Sequence, residues 1–384
     1  MKNQKKNPKF NNKKVIPVNS PVITLADAKN VFYTAKTGWV SSAGQQIEDF
    51  ENSFSKFIGL KNATSVSSGT AALEIVIKAL GIKKGDEVII PNFTIISNAL
   101  CVIKQGATPV FVDCNRFDWN MKIEDIEKKI TKKTKAIIAT HIYNYPLDIE
   151  KIKKISKSYK ITLIEDAAEV LGHKFKKKYC GSFGDVSIFS FYANKHITTG
   201  EGGMILSNNK VFINKCRSLK NLCFGKNNRF AHDDIGWNYR MTNLQASLGL
   251  SQLKRIKNII KIKKKIGNTY YQFLKNNNNI YIPSPINKNF ENIYWVVGIV
   301  LDKNCKMDAN TFAKKLLNKN IETRPFFFPM NKQKILKKLK LVNKNEKFPN
   351  SEYISKYGIY LPSSINLKYF QIKYICDQVN KILY

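Results

Sequence analysis

Apolar positions recur at helical spacing over 25–37 and again over 46–58, and beyond residue 65 the pattern changes to short, β-branched runs separated by longer amphipathic stretches. The runs predict strands at 85–90, 108–113, 135–142, 161–164, 186–192 and 204–207. The stretches between them predict helices at 70–80, 123–130, 146–159 and 212–219. Strands alternating with helices at this spacing imply an α/β architecture, a mostly parallel sheet covered on both faces. A further long helix is expected from 243 through 253, with Thr242 or Asn243 as its cap, and from 254 a basic helix rich in Lys and Ile leads away. After a polar break at 276–279 come a strand at 294–301, a helix at 311–317, a strand entering a loop at 321–330 and a closing helix at 370–383. The expected organisation is a basic flexible tail over 1–19, a large domain over 20–255 and a smaller α+β domain over 256–384.

Length and composition bound the function. A chain of 384 residues with 43% hydrophobic residues is ordinary for a soluble two-domain enzyme. No apolar run approaches the roughly 20 residues that span a bilayer, and the basic N-terminus has no apolar stretch behind it, so a cytoplasmic protein without a membrane partner is expected. The net charge of +36 raises the question of nucleic acid. Lysines are spread along the whole chain together with an excess of Asn and Ile, and Lys far outnumbers Arg, the better reader of phosphates and bases. We read this as compositional drift, with no nucleic-acid partner and a secondary benefit in attracting an anionic substrate. The seven cysteines include no CxxC pair and the four histidines form no cluster, so neither a disulfide framework nor a metal is expected.

Candidate chemistry concentrates between Ile161 and Met204. The strand at 161–164 stops at the adjacent acids Glu165 and Asp166, as a buried strand does when its carboxyl end opens into a crevice, and the run at 186–192 ends close to Lys195. A carboxylate and a lysine at neighbouring strand ends suit a pyridoxal phosphate enzyme: the amine condenses with the cofactor aldehyde, and the carboxylate keeps the pyridine nitrogen protonated. Ser190 is placed to hydrogen-bond the phosphate, and 198–203, TTGEGG, supplies glycines where backbone passes close to something. Upstream, Ser68-Gly69-Thr70 turns a short strand into a helix, whose free amides and positive dipole end suit a phosphate. Taken singly, a lysine in this chain is a solvated surface group, Asp166 a helix cap and Ser-Gly-Thr a plain helix start.

The order of these residues resembles the vitamin B6-dependent nucleotide-sugar aminotransferases of the DegT or StrS family. The match runs through Glu165-Asp166-Ala167-Ala168 with Gly172, Gly181 to Asp185 with Phe189-Ser190-Phe191, and Asn194-Lys195 with Ile197 to Gly203. The resemblance implies fold type I of the pyridoxal phosphate transferases, aspartate aminotransferase-like, with pyridoxal 5'-phosphate as cofactor. It implies Lys195 as the catalytic lysine and Ser68, Gly69, Thr70, Asp166, Glu169 and Ser190 as cofactor contacts. Related 3-dehydratases carry histidine at the lysine position; with Lys195 there and His196 after it, transamination is implied and His196 is a bystander. Asn238, in Gly236 to Asn243, matches the asparagine that reaches the cofactor phosphate of a neighbouring subunit, which implies a homodimer with shared active sites; Arg240 is a weaker candidate. Trp39, in a Gly-Trp-Val-Ser element, lies near the substrate in the family. The residue after Thr94 is often aromatic there and stacks on the pyridine ring; this chain has Ile95.

Within the family the wording is most similar to the branch that makes GDP-perosamine, aminating a GDP-linked 4-keto-6-deoxy-D-mannose at the expense of L-glutamate. The segment 322–327, ETRPFF, carries that likeness and makes Arg324 a substrate candidate, as do Gly38-Trp39 and Glu169. The branch has a histidine shortly after this segment, where this chain has Met330-Asn331. Two alternatives stay open: another 3- or 4-keto nucleotide sugar, UDP- or dTDP-linked, or a nucleic-acid-binding regulator built on the same fold.

Overall fold

The computed structural model describes residues 14–225, 228 and 230–384. Its larger sheet is built from β1 (Asn62–Val66), β2 (Glu87–Pro91), β3 (Thr108–Val112), β4 (Thr134–Thr140), β5 (Thr162–Asp166), β8 (Val186–Ser190) and β9 (Gly203–Ser207), with a small hairpin, β6 (Lys174–Phe175) and β7 (Lys178–Tyr179), set aside from it. The order is β1-β9-β8-β5-β4-β2-β3. β9 runs antiparallel to both its neighbours, and the other pairings in this sheet are parallel. A parallel pair needs a crossover; α3 (Gly69–Ala79), α4 (Ser97–Ile103), α5 (Ile123–Ile126) and α6 (Ile149–Ser158) connect the strands from β1 to β5, the segment with the β6–β7 hairpin connects β5 to β8, and α7 (Lys210–Leu219) follows β9.

Both faces of the sheet are dry, which is why its strands read as continuous apolar runs. Ile137 and Leu163 join one apolar layer, while their neighbours Ile138 and Ile164 join the other. The first layer is closed by α2 (Gln45–Ile58), whose Phe50, Phe54 and Ile58 recur every four residues and are buried. Phe54 meets Phe189 and Phe191 edge-on, at 5.0 and 5.2 Å between ring centroids. This contact pins the end of β8, the strand that leads to Lys195. Before α2, Thr24 and Asp27 form a reciprocal capping box at the start of α1 (Leu25–Lys36).

After the sheet come α8 (Asn243–Lys254), capped by Thr242, and α9 (Ile256–Leu274), which buries one stripe of an otherwise basic helix. A second sheet, antiparallel throughout, follows: β10 (Ile280–Tyr281), β13 (Val297–Leu301), β14 (Arg324–Pro325) and β15 (Gly358–Leu361), in the order β10-β13-β15-β14, with a hairpin of β11 (Ile286–Asn287) and β12 (Phe290–Glu291) beside it. The last helix, Tyr369–Leu383, packs on α9. No helix among the described residues is long and apolar enough to cross a membrane.

Three local readings are corrected. The tail expected over 1–19 falls outside the described residues as far as 13, but 15–18 is docked: Ile16 and Val18 are buried, Ile16 bridges Ile321, and Val18 N–H donates to Glu322. The strand expected at 321–330 is ordered as strand only at Arg324–Pro325, because Pro325 and Pro329 break its ladder. The strand expected from 294 begins at Val297, since Tyr294 adopts a left-handed φ of 53° that turns the chain before Trp295.

Candidate active site

At the carboxyl end of β5 the pleat sends two adjacent acids to opposite sides of the sheet. Glu165 turns inward and accepts from His141 Nε2 at 3.0 Å and from the backbone N–H groups of Gly181, Phe183 and Gly184. Burial opposes its charge, but these donors hold the carboxyl below its usual value, so Glu165 fixes the loop before β8. Asp166 faces a cavity of about 420 Å³. Its Oδ1 accepts Ala168 N–H at 3.1 Å. Burial pushes this carboxyl up, against the pull of that N–H and of Lys195.

Lys195 lines the same cavity. It follows a turn after β8 in which its N–H donates to Tyr192 O, and its Nζ lies 4.0 Å from Glu169 Oε1 and 3.5 Å from the centre of the Trp295 ring. Burial lowers the ammonium's pKa, with Glu169 and Asp166 opposing. Glu169 is pushed up to about 7 by its own burial, although Lys195 and a 2.6 Å hydrogen bond from Tyr143 N–H favour its charged form. Buried Lys195 is thereby drawn toward the neutral amine, the form that attacks a carbonyl carbon.

The other end of the cavity is the N-terminus of α3. Ser68 caps the helix by accepting Ala71 N–H, and Thr70 Oγ1 lies 2.8 Å from Ser97 Oγ. Gly69 packs so tightly on β8 that an added Cβ would sit 3.0 Å from Ser190 Cβ and 3.3 Å from its Oγ. Free amides, three hydroxyl side chains and a missing side chain make a cradle for a compact anion.

Eight of the residues singled out in the sequence therefore meet in one cavity: Ser68, Gly69, Thr70, Asp166, Glu169, Ser190, Lys195 and Arg324, the last brought opposite Tyr360 by β14. Three do not line it in a single chain. Trp39 is 63% exposed, and its carbonyl accepts Asn243 Nδ2. Asn238 is exposed and accepts from Arg240, which also donates to Asn221. Ile95 lines the cavity and is 45% exposed. Met330 and Asn331, the pair where a histidine is expected from the branch, are both buried and do not line the cavity, and Asn331 is bonded to Asn92 and Glu352. Sequence reasoning missed Tyr143, Trp295, Phe327 and Tyr360, aromatic walls that arrive from four separate loops and strands. For Tyr143, Trp295 and Phe327 the only sequence signal is a density of aromatics in 143–145, 294–295 and 326–328, and Tyr360 carries none.

A family model described as the DegT/DnrJ/EryC1/StrS aminotransferase family matches residues 22–380. The chain belongs to this family. It is a sugar aminotransferase that depends on pyridoxal phosphate. A protein of Escherichia coli O157:H7 named GDP-perosamine synthase is 40% identical over 368 residues, spanning 96% of this chain and 98% of that one. Its namesake in Vibrio cholerae is 39% identical over 366 residues, 94% and 98% of the two chains. Among solved structures, PseC of Helicobacter pylori, an aminotransferase of pseudoaminic acid biosynthesis, superposes with a TM-score of 0.90 over 96% of this chain and 99% of its own at 24% identity, which establishes the fold.

The cavity fits the family's cofactor on its own chemistry. A phosphate matches the donor-rich cradle whose closest approach only glycine permits, and a protonated ring nitrogen matches a buried Asp166 carboxylate that lines the cavity between its hydrogen bonds from Ala168 N–H and the Thr140 hydroxyl.

Proposed function

We propose that the chain moves an amino group from L-glutamate to a nucleotide-linked keto-deoxysugar, GDP-4-keto-6-deoxy-D-mannose, giving GDP-perosamine. What carries the reading is the meeting of Lys195, Asp166 and the Ser68–Ser190 cradle in one cavity, in a chain 40% identical along almost its whole length to a relative of that name. When bound, the cofactor supplies an aldehyde for covalent attachment of amines and a ring that accepts electrons from the carbon losing its proton. Lys195 holds the cofactor through Nζ and, once released, carries a proton away from and back to the reacting carbon. Asp166 keeps the ring nitrogen protonated. Ser68, Gly69, Thr70 and Ser190 bind the phosphate, Glu169 orients Lys195 and the ring, and Arg324 receives an anionic group of the substrates.

On this reading two copies assemble, so that Asn238 of one reaches the cradle of the other, with Trp39 and Arg240 beside the sugar nucleotide. Phe32, Tyr33, Trp39 and Val40 are exposed apolar side chains on and just after α1, of the kind a second copy covers. Glutamate gives up its amine in a first half-reaction and the keto sugar takes it in a second, with ping-pong kinetics.

Incubating the loaded protein with glutamate and GDP-, UDP- or dTDP-linked 4-keto-6-deoxy sugars tests the substrate, with mass and NMR analysis of the product. An amine at C4 of the GDP-linked sugar, formed fastest, is expected. Faster turnover of a UDP- or dTDP-linked sugar, or amination at C3, would overturn the assignment.

A further inference from the structure

Trp295 is held at both its ring and its backbone. Its indole Nε1–H donates to Asn194 O at 2.8 Å, and its own carbonyl accepts the buried Lys263 Nζ at 2.7 Å. The same Nζ reaches Ser363 O at 2.6 Å, tying this turn to the end of β15. Asn19 also donates to Asn194 O, so the residue immediately before Lys195 is clamped by the docked N-terminal segment and by the indole together. Trp295 is 4% exposed and its ring presents its face to Lys195 Nζ at 3.5 Å, while Glu169 Oε1 stands 4.0 Å from the same Nζ. The contact is close and buried, and a desolvated contact of this kind favours the charged amine.

We propose that Trp295 is the positioning residue for Lys195: its indole N–H fixes the backbone at residue 194, and its ring face is the seat on which the Lys195 ammonium rests whenever the lysine is not linked to the cofactor. The inference rests on the reading of Lys195 as the linking amine. It adds a reason why that amine, surrounded by aromatic walls, neither swings at random nor loses its proton completely between the two half-reactions. Burial and the ring act on Lys195 in opposite senses, burial toward the neutral amine, the ring toward the cation that can return a proton.

The test reads the amine directly, in cofactor-free full-length protein, by competitive labelling of Lys195 as a function of pH and mass spectrometry of the labelled peptide. Trp295→Leu removes the ring face, and at a fixed pH below the midpoint the reactive neutral fraction is expected to rise by about 2- to 30-fold. Trp295→Phe keeps a ring face but loses the N–H that fixes residue 194, and its profile should fall between those of the wild type and Trp295→Leu. An unchanged profile in Trp295→Leu, or one in Trp295→Phe displaced as far as in Trp295→Leu, would overturn the proposal. Should Trp295→Leu not fold, Lys195→Met reads the contact from the other side. Trp295 emission, taken as the difference from Trp295→Phe, is expected to change with pH in the wild type and to lose that change in Lys195→Met; emission independent of pH in the wild type would contradict the contact. None of these readouts depends on transamination, so failure of the aminotransferase reading and failure of the Trp295 seat give different results.

Discussion

Gly69→Ala separates the phosphate cradle from the stability of the fold. Gly69 opens α3 and does not occupy the left-handed region, so its backbone suits alanine, which is a better helix former by up to about 1 kcal/mol. The added Cβ would lie 3.0 Å from Ser190 Cβ and 3.3 Å from Ser190 Oγ, so Ser190, not the helix, must give way by a few tenths of an ångström or turn its hydroxyl aside. A hydroxyl turned away from a phosphate forfeits a hydrogen bond to a charged group, worth about 1.5–3 kcal/mol. That corresponds to roughly a 10- to 150-fold rise in the dissociation constant for pyridoxal phosphate. The assay is a titration of cofactor-free protein with pyridoxal phosphate, beside urea unfolding of the same sample. The unfolding midpoint should hold or rise while cofactor affinity falls. Ser190→Ala should weaken binding to a similar extent, and the double variant should be no weaker than the worse single one, because both act on one hydroxyl. Affinity within twofold of wild type for Gly69→Ala, or fully additive losses, would refute the argument.

Other consequences follow from particular contacts. Asp166→Asn keeps the shape at the end of β5 and removes the charge, and kcat should drop by at least about 10- to 150-fold in a steady-state assay with glutamate, the worth of one charged hydrogen bond. Phe54→Ala empties a fully buried site between Phe50, Phe189 and Phe191, and should cost about 3–5 kcal/mol in denaturant unfolding. Burial pushes the Lys263 ammonium down to about 7 from 10.5. Between those two pH values the unfolded chain binds the extra proton, so wild-type stability should gain on Lys263→Met as pH rises from about 7 to 10 and run parallel to it below pH 6. Unfolding midpoints of both proteins across that range check the sign.

The site's contiguous part was legible because its chemistry sits at strand ends. A run of β-branched residues that stops at Asp166, and another that stops before Lys195, announces two side chains at neighbouring carboxyl edges of one sheet, and the parallel pairing of β5 with β8 delivers them. Gly69 and Ser190 lie more than a hundred residues apart in the chain; their contact depends on α3 crossing the end of β8, which local pattern does not encode. Tyr143 and Tyr294 owe their positions to left-handed backbone, and hydrophobicity carries no trace of that. The segment at 15–18 was misread for a different reason. Lys and Asn around it match a solvated tail, yet Val15, Ile16 and Val18 include the alternation of a pairing strand, and Ile16 and Val18 are the two that bury.

The most direct measurement is the absorbance spectrum of the purified protein loaded with pyridoxal phosphate, before and after glutamate, with Lys195→Ala alongside. The account predicts a visible band from cofactor linked to Lys195 that gives way to the pyridoxamine phosphate spectrum on adding glutamate, with no such band in Lys195→Ala before an amine is supplied. A wild-type protein that takes up no cofactor, or a Lys195→Ala variant whose band and response to glutamate match the wild type, would contradict it.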